Sequence, residues 1–292
     1  MNQIDLKYKI EQLYSRAISI QVKPSKDHPV RIVQSVKSII GISPEHSYEK
    51  LLLFCENYLS KYNSSESYKD LKQKHSPEVI AFSDFESSLK NKNLNDSIKN
   101  VSYLLTVSDA KHVLEFLVEF SLKYNIQSFY SIWSVYKMML FLQGKDILEN
   151  IFFCINLIIN DSSPSYVNYG NSNELDLNRY PYHHDFTDMI WIYYSIIKED
   201  LVRKENIKKY IYNNLNAIDI DLNCSSNFNV LSEQKSLGRK WISDYILKLD
   251  YQSLDAGLLL MLEACRASLK VSLGKHDDII WDRLNTYLNE YR

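Results

Sequence analysis

The sequence predicts an all-α protein, a multi-helix bundle or irregular helical array of about 12–14 helices in one or two lobes. Three observations carry that expectation. Apolar residues recur at three- and four-residue spacing along most of the chain. Serine, aspartate, proline and glycine stand where such segments should begin and end. No sustained alternation and no Asn-Gly or Asp-Gly turn argues for strands.

Along the chain, helices are expected at about residues 3–20, 29–40, 44–62, 66–74, 77–91, 95–106, 109–124, 128–143, 146–160, 185–199, 202–216, 231–248, 252–272 and 276–290. Ser43-Pro44-Glu45 combines an N-cap, a proline suited to the first helical position and an early acid. It directly follows Gly41, a stop for the preceding helix. Ser76-Pro77-Glu78 repeats the start signal, Ser108-Asp109 opens another helix, and Gly144 and Gly274 stand where two more should end.

Two segments read as central. In 146–160, Ile147, Leu148, Ile151, Phe152, Ile155, Leu157, Ile158 and Ile159 surround the axis. In 185–199, Phe186, Met189, Ile190, Tyr193 and Ile197 form a stripe, and Trp191, Ile192 and Ile196 cover much of the rest. The polar stretch between them divides the chain into an N-terminal helical lobe (1–160), a connecting loop (161–184) and a C-terminal helical lobe (185–292), together read as one compact unit.

At 292 residues and 45% hydrophobic, the chain can bury a core without help from a metal or disulfide. Its 34 basic and 36 acidic side chains leave a net charge of −2 with no basic block, so nucleic acid is not an expected partner. Cys55, Cys154, Cys224 and Cys265 lack zinc-site spacing and read as reduced and packed. The start Met1-Asn2-Gln3-Ile4-Asp5-Leu6 lacks a basic region and an apolar run, and no apolar window approaches the roughly 20 residues a bilayer requires. A cytoplasmic location without membrane contact is therefore expected. The 22 tyrosines accompany abundant Asn, Ile, Lys and Ser, a coding bias rather than a binding signal.

The residues that invite chemistry cluster first at Arg179, His183, His184, Asp185 and Asp188. His184 and Asp188, four apart, would share a helix face and could ligate a divalent metal. The His184-Asp185 doublet resembles that of the all-α HD metallohydrolases, in which an upstream histidine and a downstream aspartate complete the metal site. The nearest upstream histidine here is the distant His112, so that order is not reproduced. Arg179 and His184 have the spacing seen in HEPN-type ribonucleases, but Pro181 interrupts a helix across them. The plainer reading makes Asp185 a helix cap and leaves both histidines on a loop surface.

A second set comprises His46 with Glu49, and His112 with Glu115 and Glu119. Di-iron bundles use Glu-x-x-His, the reverse order, and the plainer account is a solvated stripe opposite Leu114, Leu117 and Leu122. The third, His276-Asp277-Asp278 with Asp282, reads as a helix entrance whose acids complement the dipole.

No phosphate-binding loop, dinucleotide fingerprint or nucleophile elbow is present. The expected function is therefore a helical protein-binding module, of adaptor or toxin-neutralising immunity type, without a cofactor. It would engage another protein through Tyr166, Tyr169, Tyr180 and Tyr182. The alternative is a metal-dependent helical hydrolase or oxidase. There His184, Asp185 and Asp188 would be catalytic, and His112, Glu115, His184 and Asp185 would hold a divalent metal.

Overall fold

Helix placement follows the punctuation of the chain closely. The computed structural model describes residues 3–64, 81–162, 192, 193, 196, 200–216, 229–272, 274 and 276–290. These contain thirteen α-helices and no strand. The first eight are α1 (Gln3–Ile18), α2 (Pro29–Ile40), α3 (Glu49–Leu59), α4 (Phe82–Lys90), α5 (Leu94–Val107), α6 (Ala110–Tyr124), α7 (Ile126–Leu142) and α8 (Ile147–Asn160). After residue 200 come α9 (Lys204–Asn216), α10 (Ser232–Leu237), α11 (Arg239–Lys248), α12 (Ala256–Ser272) and α13 (Asp277–Glu290). The fold is all-α, as the periodicity predicts. No described helix is long and apolar enough to cross a membrane.

The hub is α2. Pro29 sits at its first position, and the His28 side chain accepts a hydrogen bond from the Val30 N–H at 3.3 Å, which caps the helix. Ten of its twelve residues are buried, Arg31, Gln34 and Ser35 among them. It packs against α1, α3, α7, α11 and α12, so residues before and after the polar stretch share one hydrophobic cluster. Ile32 and Ile39 are fully buried there, each side chain contributing about 2–3 kcal/mol by leaving water. The cluster also takes in most of α8, together with Ile192, Tyr193 and Ile196, which are helical and buried.

Two of the boundaries that differ from the sequence expectation have a clear local reason. The Ser43-Pro44-Glu45 start signal does not open α3, which begins at Glu49 after an N-cap at Tyr48. The Gly41, Ile42 and Ser43 N–H groups bond back to the Lys37, Ile39 and Ile40 carbonyls, and His46 N–H bonds to Ser43. The segment is thus an exit turn from α2. The span 231–248 holds two helices, α10 and α11, because Gly238 takes φ 52° and ψ −136°, outside the range of a helix and open chiefly to glycine.

Candidate functional site

The residues first expected to carry function are placed unevenly. Tyr166, Tyr169, Tyr180, Tyr182, Arg179, His183, His184, Asp185 and Asp188 lie outside the described residues. His112 is exposed near the start of α6, whereas Glu115, one turn on, is buried.

Glu115 and Glu119 are not a solvated stripe. Glu115 Oε2 accepts from the Val202 and Arg203 N–H groups at 2.8 and 3.3 Å, just ahead of α9. Glu119 accepts from Arg203 Nη1 at 2.7 Å and Asn206 Nδ2 at 3.0 Å. The two acids of α6 thereby dock the N-terminus of α9, whose unpaired amide groups and dipole favour negative charge. The His46 ring is exposed, 6.4 Å from that of Tyr48.

The acids around His276 are likewise engaged. Asp277 accepts from the Ser272 hydroxyl, Asp278 pairs with Lys235 at 3.0 Å, and buried Asp282 accepts from the Asn229 N–H at 2.8 Å. Among the described residues, no three His, Cys, Asp or Glu side chains are grouped to hold a metal ion. Burial pushes the Cys55, Cys154 and Cys265 thiols up, Cys55 and Cys265 to about 12, which disfavours the reactive thiolate.

Among the described residues, a cleft lies elsewhere, where α2, α7 and α12 meet. It encloses about 540 Å³, enough for a small molecule. Five cationic side chains line it: Arg31 and Lys37 from α2, Lys137 from α7, Arg266 and Lys270 from α12. The single carboxylate among its described lining residues is Glu263. Helical spacing sets each contribution on one face: Arg31, Gln34 and Lys37 on α2; Trp133, Lys137 and Phe141 on α7; Glu263, Arg266 and Lys270 on α12.

The packing around these charges is specific. Glu263 receives two hydrogen bonds from Arg266, at 2.5 and 2.9 Å, and a third from Gln34 at 3.3 Å. Arg31 is 3% exposed, reaches the Lys26 carbonyl and lies over the Tyr130 ring at 4.5 Å. Lys137 lies 5.0 Å from the Trp133 ring centroid and Lys37 5.6 Å from that of Phe141. Aromatic faces thus support three of the five cations.

Electrostatics single out Lys37. Burial pushes its ammonium down to about 8; Glu263 opposes the shift, and Arg266, Lys137 and Lys270 reinforce it. For Arg266, burial works against the charge, but the Glu263 carboxylate and its hydrogen bonds more than offset it, leaving the guanidinium above its usual value. Lys37 makes no salt bridge among the described residues.

No protein-family model, curated protein or solved structure matches this chain. Its site is therefore read from its own chemistry. The sequence reading missed the cleft because its charges sit on three helices far apart in the chain. One signal was present: Arg31 and Lys37 interrupt α2, a segment otherwise composed mainly of apolar residues.

Proposed function

We propose that this protein binds a compact anionic small molecule, carrying phosphate or carboxylate groups, in the cleft between α2, α7 and α12. The observation that carries the reading is the five-to-one excess of cationic over carboxylate side chains among the described lining residues, in a chain whose net charge is −2. Low-dielectric walls strengthen the attraction between such groups and an anion, and arginine adds paired N–H donors that match carboxylate and phosphate oxygens. Glu263 offsets only Arg266, with which it pairs, and so leaves the described lining with a cationic excess.

The role proposed is binding rather than turnover, in the cytoplasmic setting drawn from the sequence. Calorimetric titration with inorganic pyrophosphate tests it. One site per chain is expected, weakening as salt rises, with sorbitol giving no heat of binding. Joint replacement of Lys137→Glu and Lys270→Glu should weaken pyrophosphate binding by about tenfold or more. Equal affinity in that variant, or no binding by the wild type, would overturn the reading.

A further inference from the structure

Lys37 combines features that simple charge attraction does not require. Lys37 lines the cleft, and its amine lies 5.6 Å from the centroid of the Phe141 ring. Among the described residues, the groups around it are Arg31 on its own helix, Lys137 and Tyr130 on α7, and Glu263, Arg266 and Lys270 on α12, while Lys7 of α1 lies 5.9 Å from the same Phe141 ring. The one carboxylate in this set accepts three hydrogen bonds from Arg266 and Gln34 and makes no ion pair with Lys37. An amine beside other cations and an aromatic ring, outside ion-pair distance of the one carboxylate among the described lining residues, is arranged as a nucleophile.

We propose that Lys37 captures the carbonyl carbon of an anionic aldehyde or keto acid as an imine, with the surrounding cations holding the ligand's carboxylate or phosphate. This rests on the anion-binding reading of the same cleft. The Nζ lone pair attacks the carbonyl carbon, a C–N bond forms, and a proton passes from nitrogen to the former carbonyl oxygen. The C–O bond of this carbinolamine then breaks. Its hydroxyl leaves as water with a proton taken from solvent, and the protonated imine remains on Lys37. No electrons are gained or lost overall.

Burial, reinforced by the neighbouring cations, favours the first step. With the amine pushed down to about 8, roughly a quarter of it is unprotonated at pH 7.5, against about one part in a thousand for an ordinary lysine. Burial does most to deprotonate Lys37, with the neighbouring cations reinforcing it against Glu263, and those same cations attract the anion. The negative charge of the ligand in turn offsets the positive imine.

The test is reductive trapping. The full-length protein is incubated with glyoxylate, an anionic aldehyde, and borohydride, and the adduct is located by peptide mapping; propionaldehyde serves as the neutral control. The proposal expects Lys37 to be the dominant lysine adduct, separable from labelling of the α-amino group. Glyoxylate should be favoured over propionaldehyde at Lys37 by about tenfold, and excess pyrophosphate should protect it.

Lys37→Arg keeps the charge but cannot form the imine, so it should lose the adduct. Lys37→Gln, checked for folding by circular dichroism, should also lose the adduct. Labelling spread over exposed lysines and unchanged by either variant would overturn the proposal. Pyrophosphate binding without selective trapping would remove the imine and leave the anion site standing. Selective trapping without glyoxylate preference or pyrophosphate protection would remove the anion-directed form of the proposal.

Discussion

The seam between α6 and α9 and the cleft between α2, α7 and α12 both draw charged side chains onto partly buried helix faces, yet they differ in balance. In the seam, Glu115 and Glu119 meet the Val202 and Arg203 amides, the Arg203 guanidinium and the Asn206 amide. Charge there completes a helix terminus, and the result is structure. In the cleft, the described lining has five cations and one carboxylate around about 540 Å³ of open space. The difference teaches that burial of charge alone does not mark a site, and the proposed site rests on an excess of one sign in a concavity.

The largest effect that would sharpen this contrast concerns the capped end of α2, the helix that carries Arg31 and Lys37. His28 is fully buried, its ring lies edge-on to Phe153 at 5.5 Å, and its Nδ1 accepts the capping bond. Burial pushes its imidazole from the ordinary 6.5 down to about 3, opposed by Asp27. Between those values the unfolded chain takes up a proton that the folded chain refuses, so stability is intact above pH 6.5 and falls as pH drops towards 3. The loss reaches as much as about 5 kcal/mol. His28→Asn keeps a capping side chain without the titration, and urea unfolding across this range should show a shallower acid loss for it. Equal slopes for both proteins would contradict the account of the cap.

Next in size is the seam. Glu115→Ala removes the acceptor for two backbone N–H groups beside buried surface and should cost about 2–3 kcal/mol of stability by urea unfolding. It should leave pyrophosphate affinity within about twofold, since the seam and the cleft share no described lining residue. A large loss of binding with no loss of stability would reverse the roles assigned to the two regions.

The cleft variants should behave the opposite way. Lys137→Glu with Lys270→Glu should lower affinity by about tenfold yet change stability by less than about 1 kcal/mol, because Lys270 is exposed and Lys137 half-buried. The smallest effect is the pH dependence of binding. Lys37 is protonated below about 8, so pyrophosphate affinity should fall a few-fold as pH rises through that value. In the ligand-free protein the same shift acts on stability with the opposite sense. The unfolded chain keeps this proton up to about 10.5 while the folded chain gives it up near 8, so burial of the charge destabilises below 8 and is relieved between those values.

Much of the fold was legible in the sequence because helix ends are local events. Pro29 and Gly41 bound α2 at the residues expected, and Asp109 caps α6 through the Lys111 N–H. The misjudged starts were also local, but depended on how neighbouring turns use their amides: the bonds of residues 41–46 continue the exit from α2, and Gly238 breaks a pattern that is helical on both sides. The cleft was not legible. Arg31, Lys137 and Arg266 look like ordinary charges on amphipathic helices until tertiary packing turns three faces towards one space. Histidine and aspartate doublets drew attention instead, and His276 with Asp277 and Asp278 stands at the start of α13, where Asp277 and Asp278 bond to Ser272 and Lys235. Glu115 showed the converse error, since nothing in its own helix reveals that Val202 and Arg203 arrive to meet it.

The most direct test of the central claim is calorimetric titration of the wild-type protein with pyrophosphate at pH 8 in two buffers of different ionisation enthalpy. Binding at one site with net proton uptake, as the anion restores the charge of Lys37, is the predicted result. Absence of binding, or binding whose heat is the same in both buffers, would contradict the placement of an anion beside Lys37.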